Sequence, residues 1–439
     1  MLKLIYKNLL AHRGRYCWIF IELCLVALIA WSVLDEVIVN TYKLNMPPGY
    51  DMDRLVTFNL NEFPTVNKED DLEKETEITY AHLNRILDRV RSDNRVESVT
   101  FVNNNSFLAQ SVSINSLDAG GEDNWGFYYT VHFWPGTDFF KTFGLKDAYA
   151  DNKIYEEQSM SGRDLIVSKS VADYLFNDES AIGHFLEEKN EKYNPEKLSR
   201  IVGVVDDAVY RSTYFLTPIV YKTRKARDIV REGGIKYIHP VIRLKPEVDV
   251  DKFIEDFSPV VAKDIRTDNI YAHSLRSFRE IDKSMSRDMN NHNFIGMSIA
   301  LFFFVNILLC MVGTFYLQTR KRSEETGVMR TFGASRGFII REMLGEGFIL
   351  VTIAWLLGCF FYWLYIKDEG LVQMANAFSE KSSSALIKMM PTWASDFWLH
   401  FAIVSLIIYA LMLISVLIGI YIPARRISRI NPVDALRDE

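Results

Sequence analysis

The sequence predicts a membrane protein with four spanning helices and one large α+β domain, inserted between the first and second helix. Two observations carry this prediction. Charged residues concentrate in residues 40–290, whereas long apolar runs lie near the N-terminus and after residue 293. Each run also approaches or exceeds about 20 residues, the length that a helix needs to cross a hydrocarbon core about 30 Å thick.

The apolar runs are assigned to residues 16–38, 294–317, 342–366 and 397–422. The second and fourth runs contain no Lys, Arg, Asp or Glu. The third begins with a charged lead-in that holds Glu342 and Glu346, and the rest of it is free of these four residue types. Such runs argue against buried helices of a soluble core. In the first, the part Tyr16–Leu34 that precedes Asp35 and Glu36 carries Glu22 as its one charge; such a residue is a functional hypothesis by default because burying a carboxylate is costly. Pairing with a neighbouring helix, or snorkelling to the interface, also explains it.

The short flanks of the spans predict the orientation. Residues 1–15, 318–341 and 423–439 are rich in Lys and Arg, whereas the loop 367–396 has three Lys against four acids. By the positive-inside rule both termini are cytoplasmic, and residues 39–293 and 367–396 lie outside. Ala30-Trp31-Ser32 resembles a signal-peptide cleavage site, but the apolar stretch is long for a signal peptide, which favours an uncleaved anchor.

Composition and motifs exclude several classes of protein. The net charge of −6 gives no sign of a nucleic-acid partner. All four cysteines lie in apolar runs, so a disulfide scaffold or a zinc site in the exposed domain is excluded. The chain has no phosphate-binding loop and no nucleophile elbow. Four histidines lie scattered without ligand spacing and are interpreted as ordinary surface or core residues: His132, His184, His239 and His273.

The exposed domain is predicted to contain two similar strand–helix halves, in residues 50–105 and 200–262, on either side of an inserted lobe at about 106–199. The first half has a strand, a helix at 72–91 with apolar residues at helical spacing, and a second strand. The insert is aromatic-rich, which indicates core packing, with a hydrophobic surface for lipid, peptide or a partner protein as the alternative. Residues 263–293 have helical periodicity and predict a stalk helix that continues into the second span.

The connection between the second and third spans, residues 318–341, combines a basic exit with a short amphipathic helix. Gly333 is placed to end this helix and Ser335 to cap the next one. An amphipathic helix at the membrane surface suits docking into a groove on a soluble partner. The alternative is a positively charged loop and nothing more. The apolar side of the helix consists of Val328, Met329 and Phe332.

This connection resembles the coupling region of the MacB/FtsX-type ABC transporter permeases, whose usual form is a basic pair followed by E-x-G-x-x-[RK]-x-x-G-A-S. Thr326 and Thr331 depart mildly from the family's usual residues. The tail 423–437, P-A-R-R-I-S-R-I-N-P-V-D-A-L-R, resembles the family's closing signature. The coupling places are held by Arg320, Lys321, Arg322, Glu325, Gly327, Arg330, Gly333, Ala334 and Ser335, and the tail signature by Pro423, Arg425, Arg426, Arg429, Pro432, Ala435 and Leu436.

The resemblance implies a porter-like domain with an inserted lobe on a helical stalk, in an inner-membrane protein whose large domain is periplasmic. It implies that two permeases pair, as a homodimer or a paralogous heterodimer, on two ABC ATPase subunits. MacB carries its nucleotide-binding domain ahead of the first span, where this chain has 15 residues, so a separate ATPase is expected. ATP and Mg²⁺ would bind there, and no cofactor is expected on this chain. A periplasmic adaptor or outer-membrane protein and membrane lipid complete the expected partners.

Two functions follow from the resemblance. The first is a permease that transmits ATP-driven conformational change to its exposed domain, for efflux or extraction of a lipoprotein, peptide, lipid or drug. The second is an FtsX-like signalling permease that regulates an extracytoplasmic enzyme through protein contact. The large two-lobed domain favours the first. A membrane receptor without an ATPase is a weaker third option, since no output domain follows the tail.

Overall fold

A computed structural model describes most of the chain. The described residues are 13–63, 72–104, 106–108, 113–118, 125–157, 160, 163–176, 180–188, 198–211, 216–224, 228, 234–267, 270–317, 326–369, 371, 392–394 and 396–429. They fall into two compact units. The membrane unit comprises Met1–Tyr42, Met289–Gln373 and Asp396–Glu439, and the α+β unit comprises Lys43–Asp288 with Met374–Ser395.

The helices and strands are numbered in chain order. The helices are α1 Arg13–Leu44, α2 Leu72–Arg91, α3 Phe139–Phe143, α4 Lys169–Phe176, α5 Val250–Lys263, α6 Phe278–Met285, α7 Arg287–Leu317, α8 Arg336–Glu369 and α9 Phe397–Ile427. The strands are β1 Leu55–Glu62, β2 Val96–Asn103, β3 Ile114–Asp118, β4 Trp125–Phe133, β5 Asp164–Ser168, β6 Phe185–Glu188, β7 Ser199–Val205, β8 Ala208–Val209, β9 Leu216–Thr217, β10 Ile219–Thr223, β11 Ile238–Leu244, β12 Arg266–Thr267 and β13 Ile270–Ser277.

Among the described residues, α1, α7, α8 and α9 are the helices long and apolar enough to cross a membrane. This confirms the four predicted spans, and the chain is a multi-span membrane protein. Aliphatic side chains of α1, α8 and α9, with Ala300 and Ile307 of α7, form the continuous core of the membrane unit, and Val351 and Ala354 of α8 are fully buried in it. Small residues allow close packing in this core. A Cβ on Gly358 of α8 would lie 2.5 Å from the Cβ of Ala27 on α1.

The two predicted strand–helix halves form one antiparallel sheet of five strands, in the order β2-β11-β1-β13-β12. The halves are β1–α2–β2 and β11–α5–β13. Helices α2 and α5 cover one face of this sheet, because each buries an apolar stripe at helical spacing. Phe58 of β1, Leu83 of α2 and Phe253 of α5 are buried together in that core.

The inserted lobe is a ring of six strands. The order β10-β5-β7-β6-β3-β4 is closed by parallel pairing of β10 with β4, so each strand has a neighbour on both sides. One pair, Val102 with Phe133, joins the ring to the five-stranded sheet. Both β7 and β10 pair with β5, so the lobe extends to residue 223 rather than ending at the expected residue 199.

Most aromatic residues of the lobe are buried inside it, as their density predicted, whereas Trp134 packs into the core between the five-stranded sheet and helices α2 and α5. Many of their rings stack or meet edge to face, for example Phe139 with Phe140 at 5.3 Å between centroids. The aromatic side chains on which the prediction rested are buried where they are described, and those of Trp125 and Phe127 lie outside the description. Elsewhere in the lobe Tyr149, Ile182 and Phe185 are exposed. The buried members are Tyr128, Tyr129, Phe133, Trp134, Phe139, Phe140 and Phe143.

The prediction of a continuous stalk helix over residues 263–293 is wrong in its first part. Residues 266–267 and 270–277 are strands β12 and β13, and only α6 and α7 are helical. The error has a local cause. Ile270, Ala272 and Leu275 are the buried residues of β13, and their uneven spacing, produced by a β-bulge, imitates a helical period.

Candidate functional site

The predicted coupling segment lies between α7 and α8. Its first residues, Arg320, Lys321, Arg322 and Glu325, lie outside the described residues. Residues 326–331 form a short helix. Thr326 and Gly327 on this helix are buried, so it is seated against the membrane unit rather than extended into solvent.

Gly333 ends this short helix, as predicted. Its φ of 90° lies in the left-handed region that favours glycine. The N–H of Gly333 donates to the carbonyl of Arg330 at 3.0 Å, and the N–H of Ala334 donates to the carbonyl of Met329 at 3.0 Å. These two bonds are the pattern of a Schellman motif, which satisfies the last carbonyls of the helix.

Ser335 caps α8, as predicted. Its hydroxyl accepts a hydrogen bond from the N–H of Phe338 at 3.2 Å, as an N-cap side chain does. The helix at 326–331 and α8 are therefore joined by a corner whose turn is fixed by Gly333 and whose exit is fixed by Ser335. These hydrogen bonds restrict the angle between the two helices.

The apolar side of the short helix is exposed. The side chain of Phe332 is 87% exposed and that of Val328 is 45% exposed, while Met329 and Arg330 are half-buried. Val328 and Phe332 are four residues apart and so share one face of the helix end. This face presents an aromatic anchor with no covering element among the described residues.

The tail signature begins inside α9. Pro423, Ala424 and Ile427 are buried in the membrane unit, whereas Arg425, Arg426 and Arg429 are exposed. The helix therefore turns its apolar side inward and its basic side outward up to its end at Ile427. The remaining residues of the signature, Pro432, Ala435 and Leu436, lie outside the described residues.

Glu22 pairs with a neighbouring helix. The thiol of Cys310 on α7 donates to Oε2 of Glu22 on α1 at 2.9 Å, in a partly buried position. This is one of the two explanations that the sequence offered for an isolated charge in a span. The contact ties α7 to α1 through a weak thiol donor.

Sequence reasoning missed two buried polar contacts of the membrane unit. His400 of α9 lies with Nε2 2.7 Å from Oδ1 of Asp35 on α1, and both side chains are 1% exposed. The Tyr16 hydroxyl donates to Oε2 of Glu346 on α8 at 2.8 Å, also in a buried position. The signal that could have indicated the first contact is the histidine near one end of an apolar span, since ionisable residues in spans usually pair inside a bundle.

Next to the His400–Asp35 pair, the ring of Trp31 on α1 lies between two aromatic side chains. Its centroid is 4.5 Å from that of Tyr362 on α8 and 5.0 Å from that of Phe401 on α9, with both rings stacked on it. Three helices therefore meet at a fully buried tryptophan. Among the described residues no group of three or more His, Cys, Asp and Glu is arranged to hold a metal ion.

Comparison with known proteins identifies the part of the chain that holds these features. The family model FtsX-like permease C-terminal matches residues 297–432, which include α8, α9, most of α7, the whole coupling segment and the tail signature as far as Pro432. Over these residues the chain carries an FtsX-like permease C-terminal domain, and it resembles permeases of the MacB/FtsX type. The permease thus has its family match where the coupling segment and the buried contacts of α8 and α9 lie.

Two curated relatives, both from Neisseria meningitidis, are macrolide export ATP-binding/permease proteins named MacB, one from a serogroup A strain and one from a serogroup B strain. Each is 21% identical over 313 residues, which cover 69% of this permease and 43% of the relative. The permease therefore spans less than half the length of the curated relatives that it matches.

Solved structures of permease domains also resemble the chain. A domain of a putative permease from Porphyromonas gingivalis has 14% identity and a TM-score of 0.33, over 53% of this chain and 93% of that one. The periplasmic region of MacB from Actinobacillus actinomycetemcomitans has 13% identity and a TM-score of 0.29, over 56% and 97%. The extracellular domain of YknZ, a noncanonic ABC-type transporter from Gram-positive bacteria, has 12% identity and a TM-score of 0.28, over 50% of this chain and 100% of that one.

Proposed function

We propose that this permease is a transmission subunit. It receives ATP-driven movement from separate ABC ATPase subunits at residues 326–335 and passes it to the α+β unit, for efflux or extraction of a lipoprotein, peptide, lipid or drug. ATP and Mg²⁺ bind to the ATPase in this scheme, and the chain performs no chemistry of its own. A second permease, identical or paralogous, completes the complex.

The exposed Phe332 carries this proposal. A large aromatic side chain on a short helix, anchored below by buried Thr326 and Gly327, suits docking into a hydrophobic groove. Aromatic anchors of this kind supply most of the binding energy at protein interfaces. The basic residues around the segment and at the end of α9 support its placement on the cytoplasmic side of the inner membrane, with both termini there and the α+β unit in the periplasm.

Transmission requires a physical difference between two states. The ATP-bound ATPase must prefer one of two permease conformations, since a ligand shifts an equilibrium only by its differential affinity. The corner at Gly333–Ser335 links the docking helix tightly to α8. On the other side, α7 continues along the chain into the α+β unit, because it begins directly after α6. We therefore expect movement of the docking segment to reach the exposed domain through α7, although residues 318–325, which join the two along the chain, lie outside the described residues.

The test is the affinity of the ATPase for the permease. Replacing Phe332 with Ala is expected to weaken co-purification of the ATPase by about thirtyfold, the effect of removing one interface hot spot. Arg330→Ala is expected to weaken it less, because that side chain is half-buried. The matched control is Phe294→Ala. Phe294 is 74% exposed, but it lies near the start of α7, whereas the docking segment follows the end of that helix. Unchanged co-purification with the Phe332 variant argues against this docking site.

A second measurement separates the two functions that the resemblance implies. ATPase activity of the reconstituted complex that rises with an added lipoprotein, peptide, lipid or drug supports transport or extraction. A hydrolase that co-purifies stably with the tagged permease, without such stimulation, supports signalling instead. The large two-lobed α+β unit favours the first outcome.

A further inference from the structure

The five-stranded sheet of the α+β unit has a second face, opposite the one covered by α2 and α5. A cavity of about 470 Å³ lies on this face, and α6 forms one of its walls. The volume is within the range of small-molecule sites, roughly 300–1,000 Å³. The polar lining side chains that matter here are Thr57, Asn59, Asn104, His239, His273 and Arg276.

A β-bulge assembles this polar face. Thr57 pairs with Arg276 and Asn59 pairs with His273, although Thr57 and Asn59 are two residues apart while His273 and Arg276 are three apart. The extra residue is Ser274, whose φ of 59° is in the left-handed region. Because paired residues of an antiparallel sheet project to the same face, the bulge puts both basic side chains on the cavity side.

The cavity is positively charged. Lys236 and Arg276 line it, and its described lining residues include no Asp or Glu. The Nε of Arg276 is buried and has no hydrogen-bond partner among the described residues. A buried donor without a partner is costly, so a ligand that accepts its hydrogen bond is stabilised there.

His239 supplies a neutral polar group beside this charge. Its Nε2 lies 2.9 Å from Oδ1 of Asn104. Burial, with the nearby charge of Arg276, lowers the pKa of His239 to about 4, so the imidazole is neutral at neutral pH. Apart from Lys236, Arg276 and the imidazoles of His239 and His273, the polar side chains of the cavity are amides and hydroxyls, which orient a ligand without adding charge.

The opposite wall is apolar and strained. Phe107, Leu108, Phe278, Ile281 and Met285 line it. Leu108 has a φ of 56°, a conformation that a bulky side chain rarely adopts. Together with Ser274, it places two left-handed non-glycine residues at or beside one cavity, and such strain clusters at functional sites.

We propose that this cavity binds an amphiphilic anion: a carboxylate or phosphate group held by Arg276, on an apolar chain or ring that lies against Phe107 and Ile281. Arginine recognises both anions through charge-assisted hydrogen bonds, and the apolar wall selects ligands that carry a hydrophobic part. The inference concerns binding alone. It stands independently of the coupling to an ATPase.

The test uses the full chain in nanodiscs of zwitterionic lipid, without an ATPase, and soluble probes. Binding of octanoate and octyl phosphate is measured by saturation-transfer NMR, with octanol, inorganic phosphate and empty nanodiscs as references. Arg276→Gln is expected to weaken binding of the octyl anions at least about tenfold, the loss of one charge-assisted hydrogen bond. Arg276→Lys is expected to restore part of it.

The matched control is Arg279→Gln. Arg279 is also on the α6 side of the unit, but it pairs with Asp53 and does not line the cavity. Equal loss in both variants, or binding unchanged by Arg276→Gln in protein with an unaltered thermal midpoint, overturns the proposal. So does a wild-type chain that binds neither octyl anion, or that binds inorganic phosphate as tightly as octyl phosphate. Preference for octyl phosphate identifies a phosphate headgroup, and preference for octanoate identifies a carboxylate; either result supports the shared chemistry.

Discussion

Two adjacent acids on α1 face two different parts of the membrane unit. Asp35 meets His400 of α9 with both side chains 1% exposed, whereas Glu36 meets His292 of α7 at 3.0 Å with the side chains 42% and 60% exposed. The chemistry of the two pairs is the same. The difference lies in burial, and it shows that α1 holds α9 from within a core but touches α7 at a surface.

The same contrast recurs along α1. In the most apolar stretch of α8, 39% of the residues are buried, against 17% for α7. Tyr16 and Glu346 bond α1 to α8 in a buried position, while Glu22 and Cys310 link α1 to α7 in a partly buried one. Because α7 is the least buried of the four, with only Ala300 and Ile307 among the buried residues of this core, we expect α1, α8 and α9 to form a fixed core and α7 to move at the smallest cost. The proposed transmission requires this property of α7.

The largest expected effect comes from the histidines. His400→Leu removes one partner of a buried pair and leaves the Asp35 carboxylate without it, which is expected to cost about 2–3 kcal/mol in the free energy of unfolding. His292→Leu, the matched change at the exposed pair, is expected to cost less than about 0.5 kcal/mol. Thermal unfolding of the purified permease in nanodiscs measures both.

A double variant sharpens this comparison. Replacing Asp35 and His400 together with leucine is expected to recover part of the loss, since two apolar side chains leave no buried polar group behind. Equal destabilisation by the His400 and His292 single variants contradicts the division into a fixed core and a loosely held helix.

The next effect concerns two glycines that face α1. Gly358→Ala on α8 puts a methyl group 2.5 Å from the Cβ of Ala27, and α8 cannot retreat because Gly347 already packs against Ile420 of α9; overpacking of this kind costs about 1–3 kcal/mol. Gly296→Ala on α7 meets Val37 Cγ2 at 2.6 Å, and an outward shift of α7 keeps its cost below about 1 kcal/mol.

Gly313→Ala on α7 is the control for this pair, because a Cβ there meets nothing within 4 Å. Its helix propensity alone predicts a gain of up to about 1 kcal/mol. An equal fall of the unfolding midpoint in Gly296→Ala and Gly358→Ala would contradict the expectation that α7 is held less firmly than α8.

The smallest effects belong to the polar links. Tyr16→Phe removes a buried hydrogen bond to Glu346 and is expected to cost about 1 kcal/mol. Cys310→Ala removes only a weak thiol donor to Glu22 and is expected to cost about half as much. Thermal unfolding under the same conditions compares them, and a larger loss for the Cys310 variant would show that α7 is held more firmly than its burial indicates.

Local signals predicted much of this fold and of the coupling segment. The four spans followed from length and hydropathy, the strand–helix halves from periodicity, and the roles of Gly333 and Ser335 from the backbone preferences of those residue types. Each of these features is decided by residues close together in the chain. The docking role assigned to Phe332 and its neighbours stays a prediction.

The sequence did not predict features that depend on contacts between residues far apart in the chain. Asp35 and His400 are 365 positions apart, and their pairing depends on the rotation of two helices about their axes. The six-stranded ring needs β10 to return beside β4, which no local pattern announces. The sequence did not predict the cavity, because nothing in the spacing of His239 and His273 indicates that they lie on one face. Strand pairing and the bulge place them there.

The bulge at Ser274 also governs how β13 tolerates changes of length. Successive residues of a strand project to alternate faces, and a bulge adds one residue without changing the face. Arg276 therefore shares the face of His273 when the number of residues between them, less the extra residue of the bulge, is odd. Any substitution at position 274 keeps that parity. Deletion of Ser274 takes away the extra residue and leaves His273 and Arg276 two positions apart, so a regular strand keeps both side chains on the cavity face and loses only the bulge. At the present chain length the bulge is required, because a regular strand with these residues three positions apart would turn the guanidinium of Arg276 into the apolar core with Phe58 and Leu83.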